Sequence, residues 1–107
     1  MSKIQLCQTQ APLSSSAAFT ADILTVIDAA TVCNPTGTAD TLSVWLVPSG
    51  GSAGAATAVY FGLAVAAGGS VSLSNLVNHA IQAGGSLHLE AGTSASALTV
   101  TISGRTV

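Results

Sequence analysis

The sequence predicts an all-β domain, an antiparallel β-sandwich or jelly-roll-like arrangement of about seven strands with an N-terminal arm. Three observations predict it. Apolar residues alternate with Ser and Thr in short segments from Ile23 onward, Gly, Pro, Asn and Ser cluster between those segments, and no stretch carries a persuasive helical period. A chain of 107 residues builds one core, so residues 21–107 are read as the sandwich domain and residues 1–20 as the arm.

The arm is polar, small and unpatterned through "QTQAPLSSSAAFTA". It reads as a segment outside the core that can add "IQLCQ", with Ile4 and Leu6, as an extra strand on a neighbour's sheet edge. "ILTVIDAATVC", Ile23 to Cys33, is apolar on both faces apart from Thr25, Asp28 and Thr31, as in a strand covered on both sides. A bulge is expected at Asp28 and Ala29. "NPTG" then places Asn34, Pro35 and Gly37 as a type I turn favours, and the chain should reverse there. Thr41 to Val47 alternates, with Leu42, Val44 and Leu46 inward and Thr41, Ser43, Trp45 and Val47 outward, until Pro48 ends the strand. After the loop "SGGSAG", Val59, Phe61, Leu63 and Val65 share one side of "TAVYFGLAV". "AAGGSVSLS" gives a turn and a short strand with Val71 and Leu73 inward, and "NLVNHAIQA" reads as a loop. The last two strands put Leu87 and Leu89 inward against His88 and Glu90, and Leu98, Val100 and Ile102 inward against Thr99, Thr101 and Ser103.

Composition narrows the function. Only 6% of residues are charged, where a soluble domain usually has about 25%, while 49% are hydrophobic. Four acids against two bases leave no basic stripe to neutralise phosphates, so nucleic acid is not an expected partner. Surfaces of Ser, Thr, Ala and Gly with a net charge of −2 gain little solubility from repulsion and favour permanent association, so a homo-oligomer is expected. "MSKIQLCQTQAPLSSS" has no apolar run behind its lysine, so the chain should stay where it is made; "AGAATAVYFGLAVAAGG" is short and Gly-rich for a membrane span. Cys7 and Cys33 have no paired spacing and read as free thiols, with geometry left to decide whether they could bridge.

The residues suggest no enzyme. His88 and Glu90, two apart on one strand face, lack a third metal ligand, and His79 stands alone in an apolar loop. No Ser lies in a G-x-S-x-G elbow, and "PSGGSAG" lacks the lysine of a phosphate-binding loop. No catalytic, cofactor or metal site is expected. An outward Trp45 suits packing at a subunit contact.

Several stretches do resemble a known group. "TVCNPTG" at Thr31–Gly37, "VWLVPSGGSAGAA" at Val44–Ala56, "AAGGSVSL" at Ala66–Leu73, "IQAGGSLHLEAG" at Ile81–Gly92 and "LTVTISG" at Leu98–Gly104 are similar to small β-sandwich virion proteins of tailed bacteriophages. The resemblance departs at Gly85, where such proteins usually carry an acid, and does not extend to the arm. It implies a non-enzymatic structural protein of the virion, made in the host cytoplasm. The most concrete form is a capsid decoration or cement protein docking as a homo-oligomer on a major capsid or other virion protein. Ile4, Leu6, Trp45, Val47 and Tyr60 are the interface candidates. The alternative is a tail or collar module that binds a carbohydrate or receptor, with Trp45 or Tyr60 as stacking platform and His88 and Glu90 as polar contacts.

Overall fold

Alternating side chains give each strand one face to bury, and two sheets bury those faces against each other. The computed structural model describes residues 4–93 and 98–106. Its strands are β1 (Ile4–Gln10), β2 (Ser16–Thr20), β3 (Thr25–Cys33), β4 (Asp40–Val47), β5 (Ala58–Val65), β6 (Ser70–Ser72), β7 (Ala80–Ile81), β8 (Ser86–Ala91) and β9 (Thr99–Thr106), with 3-10 turns at Ala55–Thr57 and Ser74–Leu76. One sheet runs β1-β9-β3-β6, with β7 also on β3; the other runs β2-β8-β4-β5; every pairing is antiparallel. The expected all-β sandwich is the fold, with nine strands among the described residues rather than about seven.

Ile27, Ala30 and Val32 of β3 and Val100 and Ile102 of β9 face Leu42 and Val44 of β4 and Leu87 and Leu89 of β8 across the core. The bulge expected at Asp28 is present: the β3–β9 register shifts between Ile27 and Ala29. "NLVNHAIQA" is more ordered than the loop it reads as. It continues the outer edge of β3, with Leu73 N–H donating to Ala30 C=O, Asn78 N–H to Ile27 C=O and Ile27 N–H to His79 C=O. The 3-10 turn interrupts that edge opposite the β3 bulge, and Asn78 absorbs the irregularity at φ 72°.

"NPTG" does not make a hairpin. β3 and β4 lie in different sheets, so the segment is a crossover, shaped by a side chain. Asn34 is fully buried. Its Nδ2 donates to Thr38 C=O (2.8 Å) and Val65 C=O (3.3 Å), and its Oδ1 accepts from Thr36 N–H (3.1 Å) and Thr36 Oγ1 (2.6 Å).

The arm expected at residues 1–20 is also corrected. β1 pairs with β9 from Ile4 to Gln10, β2 pairs with β8 from Ser16 to Thr20, and the chain changes sheets between them. At that change Ala11 N–H donates to Leu98 C=O and Pro12 C=O accepts from Ala91 N–H. Cys7, Ala11 and Ala21 belong to the core cluster, and Leu6 and Phe19 pack on it. Irregular registers hid these strands: β1 bulges at Leu6 and β2 at Ala18, which breaks strict alternation. Deletion of residues 1–20 therefore strips an edge from each sheet. The truncated chain is expected to lose its cooperative thermal transition in circular dichroism, whereas a dispensable arm would leave that transition in place.

Candidate docking surface

β4 carries its outward side chains on the face of its sheet that turns away from the core. Trp45 is opposite His88 of β8 and Ala58 of β5, and Val47 is opposite Ser86. The direction expected for Trp45 and Val47 is right, but their exposure is not: they are only 6% and 5% exposed. After Pro48 the chain turns at Gly50 (φ +78°), where Gly51 N–H donates to Pro48 C=O, and then folds back to the 3-10 turn at Ala55–Thr57. Thr57 Oγ1 fixes that return by accepting from Gly54 N–H at 3.1 Å. The returning loop brings Gly54 and Ala55 beside Trp45, and Val47 lies with Pro48, Ile81 and Gln82 around a cavity of about 130 Å³. Both residues thus pack under their own chain rather than waiting for a partner.

A residue expected inside takes the outer position. The β4–β5 register runs from Val44–Tyr60 to Leu42–Leu63, so Phe61 and Gly62 together oppose Ser43. Gly62 adopts φ +69°, and its N–H donates to Ser43 Oγ at 3.0 Å, which makes a bulge that only glycine enters without strain. The bulge throws Phe61 out of the inward row of Leu63 and Val65, leaving it 82% exposed. Phe61 joins Trp45, Gly54, Ala55 and Ala58 around an open recess of about 300 Å³. An isolated glycine inside a strand pattern is the signal that points to such a bulge.

The remaining candidates separate. Tyr60 is inward-facing and half-buried, and its hydroxyl accepts from Asn75 N–H at 2.9 Å, tying β5 to the opposite sheet. Leu6 is partly buried against the core. Ile4 is 45% exposed beside Phe19 and Ile23, at a second recess of about 300 Å³ that also includes the acidic Asp22. His88 and Glu90 share the outer face as expected; His88 Nε2 lies 3.0 Å from Ser86 Oγ. Among the described residues no three His, Cys, Asp or Glu side chains gather to hold a metal ion, and no helix is long and apolar enough to cross a membrane. Both cysteines are free, Cys7 buried in the core and Cys33 exposed on the outer face.

No protein-family model matches this chain, and no curated protein or solved structure matches it either.

The two aromatic residues at the recess should behave oppositely. Trp45→Ala empties a buried site and is expected to cost about 3–5 kcal/mol. Phe61→Ser removes an exposed ring and should stay within about 0.5 kcal/mol of the parent, both read by denaturant melts. Cys7 gives a pH test. Burial raises its thiol to about 11 from 9.0. Between those values the unfolded chain releases this proton while the folded chain keeps it, so stability should fall as pH rises through that window. Cys7→Ala should flatten that slope, which melts at stepped pH would measure.

Proposed function

We propose that this chain is a non-enzymatic structural protein of a tailed-phage virion, most concretely a capsid decoration protein that docks as a homo-oligomer on a major capsid or other virion protein. The observation that carries the docking reading is Phe61, held almost fully exposed by a glycine bulge beside an apolar recess. A ring so exposed gains nothing for the isolated fold and gains most when a partner covers it. The surroundings agree, since from Thr41 through Leu89 there is no Asp, Glu, Lys or Arg. Contacts confined to the recess and its loop remove no charge from water and so avoid its desolvation cost, while Glu90, opposite Ser43 on the same outer face, lies two strands from Phe61. The resemblance of Thr31–Gly37, Val44–Ala56 and the later stretches to phage virion proteins supplies the class of assembly. The carbohydrate-binding alternative draws less support, because Trp45 lies under its own loop and the Tyr60 hydroxyl already holds Asn75.

Docking through apolar contact should resist screening, because salt weakens exposed charge pairs and leaves apolar burial intact. Purified protein is expected to co-sediment with particles lacking it equally at low salt and at about 1 M salt, and Phe61→Ser should reduce the bound fraction at both. Release of the parent protein by moderate salt alone would count against the proposal.

A further inference from the structure

Phe61 and the recess beside it lie on one patch of surface, a knob and a hole next to each other. We propose that this patch binds the same patch of a second copy, giving a closed two-fold dimer in which each Phe61 enters the recess formed by Trp45, Gly54, Ala55 and Ala58 of the other. The proposal rests on the docking reading above only for the kind of contact involved; here the second copy covers Phe61, the particle meets other surfaces of the dimer, and Phe61→Ser lowers particle attachment through lost pairing of copies.

A patch that contains both complementary features satisfies itself under a two-fold rotation, and the contact closes at two copies. A knob on one side of the molecule with its hole on the other would instead lead to rings or filaments. Charge permits a second copy as the occupant, and the adjacent knob and hole make it the occupant that fits. Each chain has a net charge of −2, yet none of the residues lining the recess is charged, and the loop that frames it, Pro48 to Thr57, has no Asp, Glu, Lys or Arg. Two copies can meet at this patch without placing like charges together as long as the contact extends from β5 toward the loop and away from Glu90, which lies two strands off on the same face. At the second recess the self-contact would carry Asp22 with it.

The area sets how the contact must extend. A stable interface buries about 800 Å² on each partner, whereas two aromatic rings bury about 300–500 Å² between them. The remainder must come from the flank of β5 and the loop from Ser49 to Ala56, where every residue is Ser, Gly or Ala and the two main chains can approach closely. The β5 edge itself is unsuited to strand pairing between copies. Its register shifts twice against β4, so the irregular main chain cannot continue a regular ladder. The contact is therefore made by side chains on a face.

Sedimentation velocity across a concentration series tests this with the full chain. The parent protein is expected to pass from monomer to dimer and stop there. Phe61→Ser removes the knob from both copies at once, so the dimer loses two aromatic anchors of about 30-fold each and should weaken about 10³-fold, with its circular dichroism unchanged. Ala55→Trp fills the recess and should weaken it similarly. An equimolar mixture of the two variants should recover dimer to about 30-fold below the parent, because one of the two contacts is restored: the Phe61 of one enters the open recess of the other while its Trp meets the vacated Ser. A parent that stays monomeric, one that grows beyond two copies, a Phe61→Ser chain that dimerises as well as the parent, or a mixture without recovery would each overturn the proposal. Particle co-sedimentation keeps the two readings apart. A monomeric parent whose attachment to particles depends on Phe61 overturns the self-dimer and leaves docking intact, and a dimer that ignores particles does the reverse.

Discussion

Scarcity of charge is the constraint on which the rest of this structure depends. Two open sheets present free edges, and proteins commonly protect such edges with lysines or other charges. Four acids and two bases cannot do so here. The edges are blunted by backbone irregularity instead. β1 bulges at Leu6, β2 at Ala18, and β5 shifts register twice, while β6 and β7 are only three and two residues long. An added strand needs an even row of donors and acceptors, and each bulge breaks that row while increasing local twist. The same device that blocks edge pairing at β5 turns Phe61 outward, so protection of the edge and creation of the apolar patch are one event at Gly62.

The few strongly polar side chains serve as joints inside the fold, which leaves the surface more neutral still. Asp40 is 4% exposed, and its Oδ1 accepts from Thr41 N–H at 2.7 Å and Thr93 N–H at 2.8 Å, pinning the start of the β8–β9 connection to β4. Asp28, in the bulge of β3, pairs with Arg105 of β9. The Asp28 side chain is buried while the Arg105 side chain is 40% exposed, so the pair adds little net stability, but separating them would leave the buried carboxylate unpaired, which disfavours other registers. Asn34 acts similarly without charge. Its amide joins the crossover after β3 to the end of β5, a task the four-residue pattern "NPTG" suggests only as a local turn.

How much of this was legible follows from the same physics. Where strands alternate strictly, as in Leu87–Leu89 and Leu98–Ile102, sequence and structure agree on which side is buried. Where a bulge inserts one residue, parity reverses and reading by alternation fails, as it does at Phe61 and along β1 and β2. The β3 bulge was legible because Asp28 interrupts an otherwise apolar run. Trp45 and Val47 failed differently. Their side of the strand is the expected one, but nothing in sequence shows that the loop of Ser, Gly and Ala folds back beside Trp45, or that Val47 comes to lie with Pro48, Ile81 and Gln82. Exposure of an outward residue is a tertiary property, whereas its direction is local.

A contact without charge also fixes what kind of assembly it can serve. Without complementary fields, association has no electrostatic steering and proceeds at the slower rate of neutral partners, about 10⁵–10⁶ M⁻¹s⁻¹. Discrimination must then come from shape, which is what a single projecting ring and a small-residue recess supply, since a partner lacking the hole leaves the ring exposed. Such a contact is weak when small and becomes strong when repeated. A dimer joined at the Phe61 patch still presents two identical copies of every other surface, so attachment to a repeating lattice would gain by avidity provided the spacing matches. In the proposed setting, a patterned particle would therefore supply through repetition what a surface nearly free of charge cannot supply through any single site.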